Sequence, residues 1–262
     1  MGAEERGNTG GKWSPGHRLR APVRRLVRPT TSGRRDYRRR RRGAGGPPSR
    51  SRGGTLEFGV GTGRIALPLS EKIGHVTGVD SSPEMLDALR VKLTDGAGDV
   101  TPVHGDIRTY TSESRYSLVY CVCATLSVLT TPEDQRQAVR RAADLLAPGG
   151  RLVIETHNKP PVVAMHEGLS RTTYFMPHPE PGSGVQTHST LLDGGLWHCS
   201  HILYQADGTT RVGSELTRLT TPEDIDGYAR AAGLTPESHL AHWDGSPYSE
   251  SAPMFICCYV KP

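Results

Sequence analysis

The sequence is short of large apolar side chains and has no long run of them. Only 6% of the 262 residues are aromatic, and the mean hydropathy is -0.48. No window approaches the roughly 18 consecutive apolar residues of a membrane-spanning helix, and the N-terminus lacks the apolar region of a secretory signal peptide. We therefore expect a cytoplasmic protein without membrane association, in which part of the chain lies outside the core.

Cysteine is present but lacks the spacing of a metal or disulfide framework. None of the five cysteines forms a CxxC pair, and all lie in apolar, strand-like runs. This usage is typical of buried, reduced thiols. The sequence thus predicts no metal site, and it predicts buried side chains for Cys121, Cys123, Cys199, Cys257 and Cys258.

Acidic residues are almost missing from the first 53 positions. This segment has sixteen basic and three acidic side chains, which gives a net charge of +13. Residues 54–262 have sixteen basic and twenty-four acidic side chains, which gives a net charge of −8. A block rich in Arg, Gly and Pro cannot pack against itself, so we expect residues 1–53 to be disordered. Two interpretations stay open: an arm that binds nucleic acid, or a solvated leader that an upstream start site or a shifted reading frame adds.

From residue 54 onward, strand-like and helix-like segments alternate, as in a parallel α/β sheet. Helices are predicted from about residue 64 to 72, from residue 81 to about 93, and from residue 131 to a stop at 148–150. Ser81 and Glu84 have capping-box spacing, so Ser81 is the expected N-cap of the second helix. The predicted strands are Thr55–Phe58, His75–Val79, Val100–His104, Ser117–Cys123 and Arg151–Glu155.

The pattern changes after the fifth strand. Three strand-like runs follow, and Asp-Gly turns join them, which is a signal for antiparallel hairpins. A last helix is predicted from Thr221 to Gly233, and a last strand at Met254–Val260. The hairpin strands are predicted at Val185–Leu192, Leu196–Tyr204 and Arg211–Leu219.

The first strand leads into a glycine-rich turn. Its glycines stand at 59, 61 and 63, whereas a dinucleotide fingerprint needs a third small residue at 64, where Arg stands. Such a turn brings backbone N–H groups and a helix N-terminus close to a bound cofactor. Asp80 ends the next strand, where a carboxylate can accept hydrogen bonds from ribose hydroxyls.

Four motifs in this order resemble the class I S-adenosylmethionine-dependent methyltransferases, in particular bacterial enzymes that act on small molecules. They are Leu56–Arg64, Gly78–Leu86, Gly105–Ile107 and Leu145–Glu155. The resemblance is strong over residues 54–156. It implies a Rossmann-like, doubly wound, mostly parallel seven-stranded sheet with an antiparallel hairpin insertion after the fifth strand. The expected domain spans residues 54–262, with residues 157–219 as a substrate-side insertion.

The resemblance also implies roles for single residues toward S-adenosylmethionine. The three glycines would pass beneath the methionine part, and Glu57 would face its amino group. Asp80, with Ser81 beside it, would hold the ribose. Asp106 and the backbone of Ile107 would meet the adenine, and Cys123 would lie near the sulfonium. The predicted cofactor-binding set is Glu57, Gly59, Gly61, Gly63, Asp80, Ser81, Asp106, Ile107 and Cys123.

A general base is needed only if the acceptor must lose a proton. His157 is the first candidate, because it follows the fifth strand and the loops at this edge surround the site in open α/β sheets. His188, His198 and His201 are further candidates. Four aromatic side chains could line an acceptor pocket or belong to the core: Tyr174, Trp197, Trp243 and Tyr248.

A small-molecule acceptor is favoured for O- or N-methylation. The net charge of −8 on residues 54–262 repels phosphate backbones. The Asn-Pro-Pro-Tyr type of motif that nucleic-acid amino-methylating enzymes carry after the fourth strand is absent; the residues there are Cys121–Leu126. Two rivals stay open: a nucleic-acid-binding protein or RNA methyltransferase that uses the basic arm, and a non-methylating catalyst that uses the same cofactor. The oligomeric state is not predicted.

Overall fold

The computed structural model describes residues 53–262. The prediction for the basic segment therefore falls outside the described residues, except at residue 53. The described part of the chain contains two sheets. One has seven strands and the other has four. No helix in residues 53–262 is long and apolar enough to cross a membrane.

The seven-stranded sheet has the strand order β10-β11-β5-β4-β1-β2-β3. Neighbours from β5 to β3 pair in parallel, whereas β11 pairs antiparallel with both β5 and β10. Its strands are β1 (Gly54–Phe58), β2 (Val76–Asp80), β3 (Val100–His104), β4 (Tyr116–Cys121), β5 (Leu146–His157), β10 (Thr235–Leu240) and β11 (Met254–Val260).

Helices cover both faces of this sheet, which explains the continuous apolar runs in its central strands. In β4, Val119 packs into one core cluster, whereas Leu118 and Tyr120 pack into the other. The third and fifth helices contribute to the cluster of Val119, and the first two helices contribute to that of Leu118. The helices are α1 (Ala66–Ile73), α2 (Pro83–Thr94), α3 (Pro132–Leu145), α4 (Lys159–Ala164) and α5 (Pro222–Ala231).

The second sheet is an antiparallel meander inserted between β5 and α5. One of its faces, called the inner face below, is buried against the rest of the domain through Thr187, Ser189, Trp197, Cys199 and Thr217. At the base of the meander, Asn158 after β5 bridges to Thr220 after β9. The strands are β6 (Arg171–Pro177), β7 (Gly184–Leu192), β8 (Leu196–Tyr204) and β9 (Thr210–Arg218).

These two sheets confirm the predicted fold class: a mostly parallel seven-stranded sheet with an antiparallel insertion after the fifth strand. The extent of single elements needs correction. The helix expected to stop at 148–150 ends at Leu145, because residue 146 already pairs with Tyr116 of β4. α1 begins at Ala66, two residues later than expected. Helix α4 and strands β6 and β10 were not predicted.

The N-cap of α2 is a further correction. The expected cap was Ser81, but the helix begins at Pro83 and Ser82 is its N-cap. The Ser82 hydroxyl oxygen accepts the backbone N–H of Met85 at 3.2 Å and donates to the Glu84 carboxylate at 2.9 Å. The position is shifted by one residue because the Asp80 carboxylate accepts the backbone N–H of Ser82 at 2.9 Å and so turns the chain there.

Candidate functional site

The carboxyl ends of β4, β1, β2 and β3 lie side by side at one edge of the sheet, and the loops after them carry most of the predicted site residues. The turn after β1 is bound to β2: the N–H groups of Gly59 and Val60 both donate to the carbonyl oxygen of Val79, at 2.8 and 3.1 Å. Gly61 donates its N–H to the Asp80 carboxylate at 2.7 Å. Asp80 thus holds the glycine turn in place with one oxygen and the start of α2 with the other.

The three glycines of this turn all have positive φ, but for different reasons. A Cβ on Gly59 would lie 2.3 Å from the Thr125 side chain, and one on Gly63 would lie 2.5 Å from Leu89. These two glycines therefore permit close packing. At Gly61 a Cβ would meet nothing within 4 Å. Gly61 faces open space, which a bound molecule can enter close to the backbone.

Glu57 lies buried in β1, next to the glycine turn, with 2% of its surface exposed. Burial raises the pKa of its carboxyl from 4.5 to about 8, while the Tyr120 hydroxyl opposes that rise and donates a hydrogen bond to it at 2.7 Å. A carboxyl in such surroundings gains from a cation, which would favour its ionised form. The sequence resemblance pointed to Glu57, but Tyr120 as its partner was not predicted.

The Asp106 carboxylate is already hydrogen-bonded within the protein, which the sequence did not indicate. Arg108, two residues further on, binds both of its carboxylate oxygens and also binds Asp134, with closest distances of 2.5 and 2.6 Å. These hydrogen bonds hold the pKa of the Asp106 carboxyl below its ordinary value. Ile107 is buried in the core. Arg108 donates through its backbone N–H, its Nε and one terminal nitrogen, so each Asp106 oxygen already accepts two hydrogen bonds, and a bound molecule would have to displace one of these contacts.

The loop after β4 places Cys123 at the site, but in an exposed position. The prediction that all five cysteines are buried is therefore wrong for Cys123; the other four are buried. Its backbone has φ 55°, an unusual value for a residue with a side chain. Arg64, from the turn after β1, donates to the Cys123 Sγ atom at 3.0 Å. The backbone N–H of Cys123 donates to the Glu155 carboxylate at 2.9 Å.

Glu155 is a site residue to which sequence reasoning gave no role. One carboxylate oxygen holds the Cys123 loop, and the other accepts the indole N–H of Trp243. Glu155 thus connects the ends of β4 and β5 with the segment before β11. The available signal was a carboxylate directly after the buried run Leu152–Ile154, since a charge beside the core needs partners.

His157 ends β5 and is half-buried. Burial lowers the pKa of its imidazole, which favours the neutral ring. Its ring lies edge-on to that of Trp197, with centroids 5.0 Å apart. His201 lies on the inner face together with Trp197, whereas His188 and His198 lie on the opposite face, as the strand pairing and side-chain alternation show.

Of the four aromatic candidates, Trp197 and Trp243 contact predicted site residues or their partners. Tyr248 packs against Phe255 and donates its hydroxyl to Asn158, so it belongs to the support of the sheet. Tyr174 lies half-buried in β6.

Comparisons with known proteins agree with this geometry. Residues 55–150 match the family of methyltransferase domains. The chain is 27% identical over 194 residues to the cypemycin N-terminal methyltransferase of a Streptomyces species, over 74% of this chain and 77% of that protein. The structure of the CcbJ methyltransferase from Streptomyces caelestis has a TM-score of 0.72 at 28% identity, over 81% and 85% of the two chains.

The fold, the glycine turn and these matches define the class: residues 55–150 form a methyltransferase domain, the chain is similar to S-adenosylmethionine-dependent methyltransferases, and S-adenosylmethionine is its cofactor. Its relatives are bacterial enzymes of small-molecule metabolism. One neighbour, the amino pentose methyltransferase CalS10 from Micromonospora echinaspora, has a TM-score of 0.63 at 24% identity over 79% and 84% of the chains, and its structure contains S-adenosylmethionine. The open space at Gly61 and the buried carboxyl of Glu57 fit this cationic cofactor.

Proposed function

We propose that this enzyme methylates an amino group of a small-molecule acceptor. The observation that carries the proposal is the position of His157, a half-buried imidazole beside Trp197 at the carboxyl edge of the sheet. The names of the cypemycin N-terminal methyltransferase and the amino pentose methyltransferase support an amine. The acceptor of this chain is our inference. A cytoplasmic location stays a prediction from the sequence.

For the cofactor, we propose the residues around the glycine turn. Asp80 is suited to the ribose, because its carboxylate ends β2 and has acceptor sites left beside its two backbone partners. Glu57 is suited to the ammonium group of the methionine part, which would supply the cation that its buried carboxyl lacks. The whole proposed set is Glu57, Gly59, Gly61, Gly63, Asp80, Ser81, Asp106, Ile107 and Cys123.

The chemistry divides between the cofactor and the protein. S-adenosylmethionine supplies an electrophilic methyl group on its sulfonium. The protein has to align the acceptor nitrogen with that methyl and exclude water. A protonated amine has no lone pair, so it must first lose a proton. We assign that proton to His157, whose lowered pKa keeps the imidazole available as an acceptor near pH 7.

The acceptor would lie between the glycine-turn edge and the four-stranded sheet. Trp197 on the inner face contacts His157 at the end of β5, which supports a substrate-side position for the insertion. We therefore keep residues 54–262 as the methyltransferase domain and residues 157–219 as its substrate-side part.

A screen of small amines and alcohols, with S-adenosylhomocysteine formation as the readout, tests the proposal. We expect turnover with an amine. Turnover with alcohols alone would contradict N-methylation, and cofactor binding without turnover by any acceptor would favour the non-methylating rival.

The role of His157 has its own test on the amine that the screen finds. His157→Gln should lower kcat by about 10²-fold or more at pH 7, and the loss should shrink at higher pH, where the amine loses its proton to solvent. His188→Gln, on the exposed outer face, is the matched control and should leave the pH profile unchanged. An equal loss at every pH would show that His157 has only a structural role.

A further inference from the structure

Three side chains with metal-ligand atoms meet on the inner face of the four-stranded sheet. Cys199 in β8 stands directly opposite Glu215 in β9, and His201 is two residues after Cys199 on the same face. One ligand atom of each residue lies within 4.8 Å of the other two. The His201 Nε2 atom is 3.5 Å from a Glu215 carboxylate oxygen. Thiolate, imidazole and carboxylate are together the ligand types of zinc.

The His201 ring is held in a fixed orientation by the neighbouring strand. Its Nδ1 atom is 3.0 Å from the hydroxyl of Thr187, which is 2% exposed. When Nδ1 carries the proton and donates it to this hydroxyl, Nε2 presents a lone pair toward Glu215. Metal-bound histidines typically make such a hydrogen bond with their other nitrogen, which fixes the tautomer and the ring orientation.

In the tautomer with the proton on Nδ1, the lone pair of His201 Nε2 needs a proton or a metal ion between it and Glu215; in the other neutral tautomer, Nε2–H itself faces the carboxylate. A neutral Nε2 lone pair and a carboxylate oxygen are both acceptors, so they repel each other at 3.5 Å. Either a proton on Nε2 or a metal ion removes the repulsion. The neighbouring Cys199 favours the metal, because its thiol has only a long contact of 4.0 Å to the Ser189 hydroxyl and completes a set of three metal ligands with His201 and Glu215.

We propose that Cys199, His201 and Glu215 bind one divalent transition-metal ion, with zinc as the best match. Three protein ligands leave one position of a tetrahedral ion open. Trp197, two residues before Cys199 on the same face, contacts His157, so the site faces the same region as the proposed catalytic base. The open position can take water or an oxygen or nitrogen atom of a bound molecule. The proposal does not depend on the nature of the methyl acceptor.

The test uses the full chain, freed of any affinity tag and of metal, with Co²⁺ and Zn²⁺ as probes. We expect about one ion per chain by elemental analysis and a thiolate-to-cobalt charge-transfer absorption band. Cys199→Ser should abolish this band, and Glu215→Gln should weaken binding of both ions. Thr187→Val, which removes only the hydroxyl beside Nδ1, should weaken binding about 10–100-fold.

The controls separate metal binding from changes in folding. His198→Gln changes a histidine on the opposite face of β8 and should leave the affinity unchanged, as should Cys258→Ser in the other sheet. Circular dichroism establishes that each variant is folded. If the folded wild type binds no stoichiometric ion, or if Cys199→Ser and Glu215→Gln bind Co²⁺ as the wild type does, the proposal is wrong.

Discussion

Glu57, the buried carboxyl beside the glycine turn, is expected to make the stability of the fold depend on pH. Its pKa is about 8 in the folded protein against an ordinary 4.5. One pH unit of difference corresponds to about 1.4 kcal/mol, so the whole rise corresponds to about 5 kcal/mol. Between pH 4.5 and about 8 the folded chain holds one proton more than the unfolded chain, and stability therefore falls as the pH rises.

Glu57→Gln removes this ionisation and keeps an oxygen that accepts the Tyr120 hydroxyl. We expect the free energy of unfolding of the wild type to fall relative to that of the variant by about 2–3 kcal/mol between pH 6 and pH 8. Denaturant unfolding of the cofactor-free proteins across that range measures it. Glu71→Gln, an exposed glutamate on α1, is the matched control. A difference between wild type and Glu57→Gln that stays constant with pH would refute the reasoning.

Three further substitutions test the support of the site. Asp80→Ala should weaken S-adenosylmethionine binding by about 1.5–3 kcal/mol in calorimetric titration; unchanged affinity in a folded variant would contradict the ribose role. Gly63→Ala should destabilise the fold by about 2–3 kcal/mol in thermal unfolding, because its φ is +76° and a Cβ would lie 2.5 Å from Leu89. The Asn158 amide nitrogen lies 2.8–3.2 Å from three backbone carbonyl oxygens, so Asn158→Ala should cost about 3 kcal/mol in denaturant unfolding; a cost near zero would show that water replaces the amide.

The sequence predicted the central strands well because they are buried on both faces. The central strand β11 has the predicted bounds; the antiparallel β8 and the edge strand β3 have them too. The two strands that escaped prediction, β6 and β10, are edge strands of their sheets. An edge strand can carry polar residues on exposed positions, so Thr235–Leu240 lacks the apolar signal of its neighbours.

The candidate site could be predicted only where a motif marks it. The glycine turn, Asp80 and Glu57 lie together at the expected edge of the sheet, and their roles toward the cofactor stay predictions. The link from Arg108 to Asp106 and that from Glu155 to Trp243 were not found in advance. Both depend on which rotamers the long side chains adopt, and the second joins residues 88 positions apart, so no local spacing indicates it.

Calorimetric titration of the wild type and of Gly61→Val with S-adenosylmethionine and with NAD tests the central claim most directly. Gly61 faces open space, so valine should fill the volume that the cofactor needs while circular dichroism shows a folded chain. The account predicts that the wild type binds S-adenosylmethionine more tightly than NAD, and that Gly61→Val loses at least about tenfold in affinity, or 1.4 kcal/mol. Tighter binding of NAD, or an unchanged affinity of folded Gly61→Val for S-adenosylmethionine, would contradict it.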